Sequence, residues 1–325
     1  MYRYPFPPYP TGWYLALESA ALPPGGVVPL KYFGRDLVAF RTNDDARQVA
    51  IVDAHCPHMG AHLGHGGVVE GGGLRCPFHA WRFDTSGHCD DVPYDRGRPA
   101  PRVSVGCWNV HETSGLILVH YSESGAAPTW HMPDVGEWGQ PGWLGYASYR
   151  WHVRMHTQEF AENVPDTAHF AHVHGVPGTM GAEIEIDGPV FRQRSLTVED
   201  GHAFTTQAVY GLGLIWLHTG SNIVFLGTIT PIDQEVCDLR LLFLVQEEPG
   251  ATEISPRNRN HIESIYENTG RDIPIWEHKV YREKAPLVPG DGPIHELRKW
   301  AKQFYESDLK EAARSAAGLA SPASR

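Results

Sequence analysis

Cys56-Pro57-His58 and Cys76-Pro77-Phe78-His79 decide how this chain is read. Each short loop offers one thiolate and one imidazole. Between them runs a span rich in glycine (Gly60, Gly64, Gly66, Gly67, Gly71, Gly72, Gly73), which lets the backbone turn tightly and present amide N–H groups to a bound anionic centre. Common structural zinc patterns gather two cysteines in one knuckle and two histidines on a helix, whereas here the two types alternate. The order C-x-H, then C-x-x-H, suits two irons with unlike ligands better than one ion ringed by four. A Cys2His2 zinc site is the competing reading, and ligand softness alone does not separate the two.

In a [2Fe-2S] centre of the Rieske type, two histidines replace two cysteines on one iron and raise its potential, and Cys56, His58, Cys76 and His79 supply that ligand set. Working outward, residues 26–55 alternate in short apolar runs broken by Gly34-Arg35-Asp36 and Thr42-Asn43-Asp44-Asp45. They read as a strand, a hairpin turn and two further strands, the last of which, 49–53, delivers the chain into the first loop. Ala80-Trp81-Arg82-Phe83 reads as a strand leaving the second loop, with Trp81 either shielding the cluster or filling ordinary core. One more strand, 115–121, precedes a stretch rich in Gly, Pro and Ser, 122–141, that marks a domain boundary.

The 325 residues make two domains the expectation. Acidic residues outnumber basic ones, 38 to 27, and no Lys/Arg block is present, which argues against a nucleic-acid or anionic-membrane surface. Cys89, Cys107 and Cys237 have no framework spacing, as expected of a reducing, cytoplasmic compartment. No apolar run is long enough to span a bilayer. The proline-rich start, Met1 to Pro10, reads as an extended arm, not a signal peptide.

A second constellation follows the boundary. Glu162-Asn163-Val164-Pro165-Asp166-Thr167-Ala168-His169-Phe170-Ala171-His172-Val173-His174 packs carboxylates and three histidines into a short span. Two imidazoles from such a helix, with one carboxylate from elsewhere, make the 2-His-1-carboxylate triad that leaves iron positions open for O2 and substrate. Residues 183–246 read as antiparallel strands. Pro274 is placed where a helix begins, and Asp291-Gly292-Pro293 opens a last helix with Ile294, Leu297, Trp300, Ala301, Phe304 and Leu309 at helical spacing. The tail 318–325 is small and polar, expected to be disordered.

The cluster pattern near the N-terminus, followed by N-x-x-D-x-x-H-x-x-x-x-H at Asn163, Asp166, His169 and His174, resembles the oxygenase component of the Rieske non-haem iron oxygenases over nearly the whole chain. Within that family, Asp53-Ala54-His55-Cys56-Pro57-His58, Gly64-His65-Gly66-Gly67, and Asp291 to Ile294 through Gln303-Phe304-Tyr305 are similar to the 3-ketosteroid 9α-hydroxylase and cholesterol 7-desaturase branch. The resemblance implies an α+β chain. After an arm at 1–25 it places an antiparallel Rieske domain at 26–121 and a helix-grip catalytic domain at 122–317.

It also implies His169, His174 and a C-terminal carboxylate as ligands of mononuclear Fe(II). Asp272 is chosen from the stretch 268–277, with Glu267 and Glu277 in reserve and His172 as rival to His174. Asp166 is implied as a bridge between metal sites of neighbouring subunits in a homotrimer. The implied reaction is O2-dependent monooxygenation or desaturation of a hydrophobic, steroid-like molecule. The sequence contains no flavin or nicotinamide fingerprint, so NAD(P)H electrons must come through a separate reductase or ferredoxin. An aromatic or secondary-metabolite substrate, or a purely electron-carrying protein, are the alternatives.

Overall fold

The structure is a computed structural model that describes residues 3–95, 97–175, 179–197, 203–218 and 222–306. The expected tail, and Leu309 with it, lie outside the described residues. The chain forms two compact units: Tyr14–Tyr121 with Ala127–Pro133, and Met1–Trp13 with Ser122–Ala126 and Asp134–Arg325.

The cluster-bearing unit is antiparallel β. Its strands are β1 (Gly12–Glu18), β2 (Val27–Tyr32), β3 (Arg35–Arg41), β4 (Val49–Asp53), β5 (Val68–Glu70), β6 (Gly73–Arg75), β7 (Arg82–Asp84), β8 (Cys89–Asp91), β9 (Asn109–Thr113) and β10 (Leu116–Tyr121). They form three small sheets, ordered β1-β10-β9, β2-β3-β4 and β5-β6-β7-β8. The expected turns fall where Gly34 and Asp44 place them, and β4 does lead into the first ligand loop. The expected arm over 1–25 is corrected by β1. Trp13, Tyr14, Leu15, Ala16 and Leu17 are all buried there, because a run apolar on both faces must be covered on both.

The second unit is built on one sheet. Its elements are β11 (Trp143–Val153), α1 (Thr157–Glu162), α2 (Thr167–Val173), β12 (Thr179–Asp187), β13 (Val190–Thr197), β14 (Ala203–Tyr210), β15 (Leu214–His218), β16 (Ile223–Pro231), β17 (Cys237–Gln246), α3 (Pro256–His278) and α4 (Ile294–Ala301). The seven strands run β11-β17-β16-β15-β14-β13-β12, every neighbouring pair antiparallel. Val153, Phe191, Val209, Ile229 and Leu239 of the sheet share one core with Phe160 of α1, Trp276 of α3, and Leu297 and Trp300 of α4. The helices therefore grip one face of the sheet.

One reading of the helical part is corrected and one holds. Pro274 does not begin a helix: α3 starts with Ser255 as N-cap, its side chain accepting from the Asn258 N–H, and Pro256 in the first turn. Pro274 is inside the last turns, on the solvent side. The last helix does follow Asp291-Gly292-Pro293, and Ile294, Leu297, Trp300, Ala301 and Phe304 are buried as their spacing requires. Gly292 has φ +83, and a Cβ there would stand 2.0 Å from the Pro165 carbonyl oxygen. Only glycine lets this loop pass against the corner between α1 and α2.

Helix α1 has six residues, too few to hold itself together, yet all six are buried. His156 caps it, Nδ1 accepting from the Gln158 N–H at 3.0 Å while Nε2 donates to the Pro7 carbonyl at 3.1 Å. Both ring nitrogens are thus committed to the neutral form, and burial pushes the His156 pKa down to about 3. The unfolded chain takes up this proton below about pH 6.5 and the folded chain does not, so stability present above that pH falls as pH drops toward 3. At pH 5 the loss from this group is about 2 kcal/mol. Urea midpoints followed by far-UV circular dichroism should fall between pH 7 and pH 5 in the wild type and fall less in His156→Asn; equal slopes would refute the assignment.

Candidate active site

The two cluster loops have the same backbone geometry. In each, the cysteine N–H donates to the carbonyl of the fifth residue on (Cys56 to Ala61, 2.9 Å; Cys76 to Trp81, 2.9 Å), and the fourth residue donates back to the cysteine carbonyl (Gly60, 2.9 Å; Ala80, 3.0 Å). That fourth residue has φ +75 in Gly60 and +55 in Ala80. A side chain in this region costs about 1 kcal/mol, a strain that concentrates at functional loops.

Cys56 and Cys76 are buried, while His58 is exposed and His79 half-buried. The two rings stand 4.7 Å apart at 68°. Burial, with the neighbouring Cys76 adding, pushes the Cys56 thiol up to about 11, so this sulfur becomes a thiolate only against a bound cation. Two inner sulfurs and two outer imidazoles fit one iron of each kind in a [2Fe-2S] cluster. Trp81 stacks on His58 at 4.4 Å and 7°, and its indole N–H donates to Tyr94 Oη at 2.6 Å. It also packs against the core of this unit, as the ordinary-core reading of Trp81 has it.

In the second unit, His169, His174 and Asp272 bring one ligand atom each to within 4.8 Å of one another. His169 is on α2, His174 is its C-cap and Asp272 is on α3. Asp272 belongs to the inward stripe Asn258, Ile262, Ile265, Thr269, Asp272, Trp276, at helical spacing, and is 4% exposed. A carboxylate in that position needs a cation or donors to remain charged. His174 Nε2 is 3.4 Å from Asp272 Oδ2, a separation suited to two donors on one ion at about 2.1 Å each. Asn163, the C-cap of α1, donates to the same Oδ2 at 3.4 Å.

Asp166 orients His169 twice over. As N-cap of α2 its carboxylate accepts the His169 backbone N–H at 3.2 Å, and its carbonyl accepts the ring Nδ1–H at 2.5 Å. The Nδ1–H bond fixes the tautomer and leaves Nε2 as a lone pair. That Nε2 is buried with no hydrogen-bond partner among the described residues, as an atom aimed at a metal would be. Burial opposes a positive charge on His169, but Asp166 and then Asp272 outweigh it and raise its pKa, a field that favours a cation at Nε2. The donor set fits Fe(II). His172 and Glu267 are exposed, and Glu277 accepts from the Arg154 N–H at 3.3 Å, so none of these three rivals joins the constellation.

A cavity of about 200 Å³ opens beside the triad, below the ~300–1,000 Å³ typical of ligand sites. His174 and Asp272 are in its wall, with Phe160, Val164, Phe170, Ile215, Leu217, Phe225, Ile265 and Trp276 making most of the rest and Asn163, Gln207, Asn268 and Thr269 the polar minority. The sequence reading missed the sheet's share of this lining. Ile215, Leu217 and Phe225 look like any core strand residue, and only the register of β15 against β16 aims them here.

The Rieske [2Fe-2S] domain profile matches residues 12–108, and that of the 3-ketosteroid 9α-hydroxylase C-terminal domain matches residues 119–305, more than half of the chain. The chain belongs to the Rieske non-haem iron oxygenases. A cholesterol 7-desaturase of Drosophila melanogaster is 30% identical over 94% of this chain and 77% of its own. The probable oxygenase component of a 3-ketosteroid-9-alpha-monooxygenase of Rhodococcus rhodochrous is 28% identical over 91% of this chain and 80% of its own. Pseudomonas putida CBB5 NdmA, solved with caffeine, superposes with a TM-score of 0.76 at 20% identity over 96% of this chain and 97% of that one, a likeness of fold alone.

As a Rieske oxygenase, the protein uses a [2Fe-2S] cluster and mononuclear iron, and it receives NAD(P)H electrons through a separate reductase or ferredoxin. No helix among the described residues is long and apolar enough to cross a membrane.

Proposed function

We propose that this Rieske oxygenase hydroxylates or desaturates a 3-ketosteroid or sterol-like molecule. His169, His174 and Asp272 hold Fe(II), and Cys56, Cys76, His58 and His79 hold the cluster. The observation that carries the reading is the cavity, apolar over most of its wall, with His174 and Asp272 at one side and only a few amide and hydroxyl groups elsewhere. Such a wall suits a rigid ring skeleton with one or two oxygens, and the named steroid relatives agree in substrate class. Fe(II) held by His169, His174 and Asp272 would supply the O2-activating chemistry. The residues' own work is to hold its ligands, exclude water through Phe160, Phe170, Phe225 and Trp276, and fix which C–H bond faces the metal.

The proposal includes a homotrimer in which Asp166 accepts an imidazole N–H from His79 of a neighbouring copy. The support is local. The Asp166 side chain is 37% exposed, its Oδ1 3.7 Å from His169 Nδ1, so the carboxylate stands beside that ring with surface open to another donor. A reducing, cytoplasmic setting is part of the proposal and rests on Cys89, Cys107 and Cys237, none of them in a disulfide.

NADH-driven O2 uptake with a surrogate reductase tests the substrate class. A 3-ketosteroid or cholesterol should stimulate uptake and yield a hydroxylated or desaturated product, while caffeine and dicamba should not. Product from either of those two and none from the steroids would overturn the reading.

A further inference from the structure

The residues before β1 belong to the unit that carries the mononuclear site, although the cluster loops follow them in sequence. Arg3 is their anchor. Its Nη1 donates to the carbonyls of Trp276 (3.3 Å), Glu277 (2.7 Å) and Lys279 (3.3 Å), which end α3, and its Nη2 donates to the Arg154 carbonyl just before α1. Carbonyls in the last turn of a helix have no partner within it and form the negative end of its dipole, so a guanidinium fork satisfies both at once.

The contacts continue along the segment. Tyr4 Oη accepts the His156 N–H at 3.2 Å, and Phe6 meets the rings of His156 at 4.5 Å, Tyr281 at 4.9 Å and Tyr305 at 5.3 Å. Thr11 N–H donates to the Phe304 carbonyl at 2.7 Å. Every one of these bonds joins the approach to α1, the end of α3, or the segment after α4.

Helix α1 ends in Asn163 and α3 carries Asp272 one turn before the carbonyls that Arg3 holds, and the Asn163–Asp272 hydrogen bond spans the gap at 3.4 Å. One further tie closes the same gap, Lys279 at the end of α3 to the buried Glu159, while Arg298 of α4 holds Glu162 of α1 at 2.7 Å. We propose that residues 3–11 are a positioning brace for the mononuclear iron, with Arg3 setting α1 against α3 and so Asp272 against His169 and His174. Arg3 touches no reacting atom and acts through the ligand spacing. This inference rests on the triad reading above.

The test is Fe(II) titration of iron-depleted protein, read as the spectrum of its nitric oxide adduct, with the cluster's visible spectrum in the same sample as the control for folding. Arg3→Ala should weaken Fe(II) retention about tenfold, the scale of other ligand-supporting contacts, with the cluster spectrum unchanged. Arg3→Lys should recover part of the loss, since an ammonium meets the helix end but lacks the fork. His174→Ala in parallel separates the two claims. If it loses Fe(II) while Arg3→Ala binds as the wild type does, the brace is wrong and the triad stands. If both variants bind as the wild type does, the triad reading itself fails.

Discussion

Asp272→Ala should give a protein that keeps its cluster chromophore, holds about one iron fewer per chain and forms no product. The carboxylate is on the buried stripe of α3, 3.4 Å from His174 Nε2, and no neighbouring acid replaces it: Glu267 is exposed and Glu277 is engaged with the Arg154 backbone. With two imidazoles left, the site loses both charge balance and its third anchor. His169→Ala and His174→Ala should match it, and Glu267→Ala should behave as the wild type does. Iron analysis with product assay checks this. An Asp272→Ala protein that retains its iron and its turnover would remove the residue from the ligand set.

Asp166→Asn should retain both metals and lower turnover about 10- to 100-fold, the usual scale for groups that orient a metal ligand. An amide still caps α2, and the Asp166 carbonyl that holds His169 Nδ1–H is backbone and survives the change. What disappears is the negative charge beside His169, and with it the acceptor proposed for His79 of a neighbouring copy. The stopped-flow rate of cluster oxidation during turnover is the discriminating readout. A wild-type rate in Asp166→Asn would reduce this residue to a helix cap.

Much of this was legible in the sequence because metal chemistry constrains spacing. Cys56 to His58 and Cys76 to His79 can form two loops in only a few ways, and Asn163 to His174 brings two imidazoles to one end of a short helix. Asp272 was legible only through family likeness. Its stripe reads polar at Asn258, Thr269 and Asp272, which hides the helical period, and Pro274 looks like a helix start when it in fact sits in the exposed last turns of α3. Arg3 was illegible for a different reason. Its partners are backbone carbonyls more than 150 positions away, and such bonds leave no side-chain pattern to read.

Asp166 also holds His169 within its own chain. The His169 ring bonds to its carbonyl while its carboxylate takes the backbone N–H, so the orientation of His169 is built into the turn itself.

A single turnover without any reductase is the most direct test of the central claim, that electrons stored in the protein's clusters are spent on a steroid-like molecule at its mononuclear sites. The protein is reduced chemically, freed of reductant, then mixed with O2 in the presence of a 3-ketosteroid or cholesterol. The account predicts that the cluster oxidises together with formation of a hydroxylated or desaturated product, and that both slow sharply when the steroid is omitted. Cluster oxidation at the same rate with and without steroid, and no product, would contradict it.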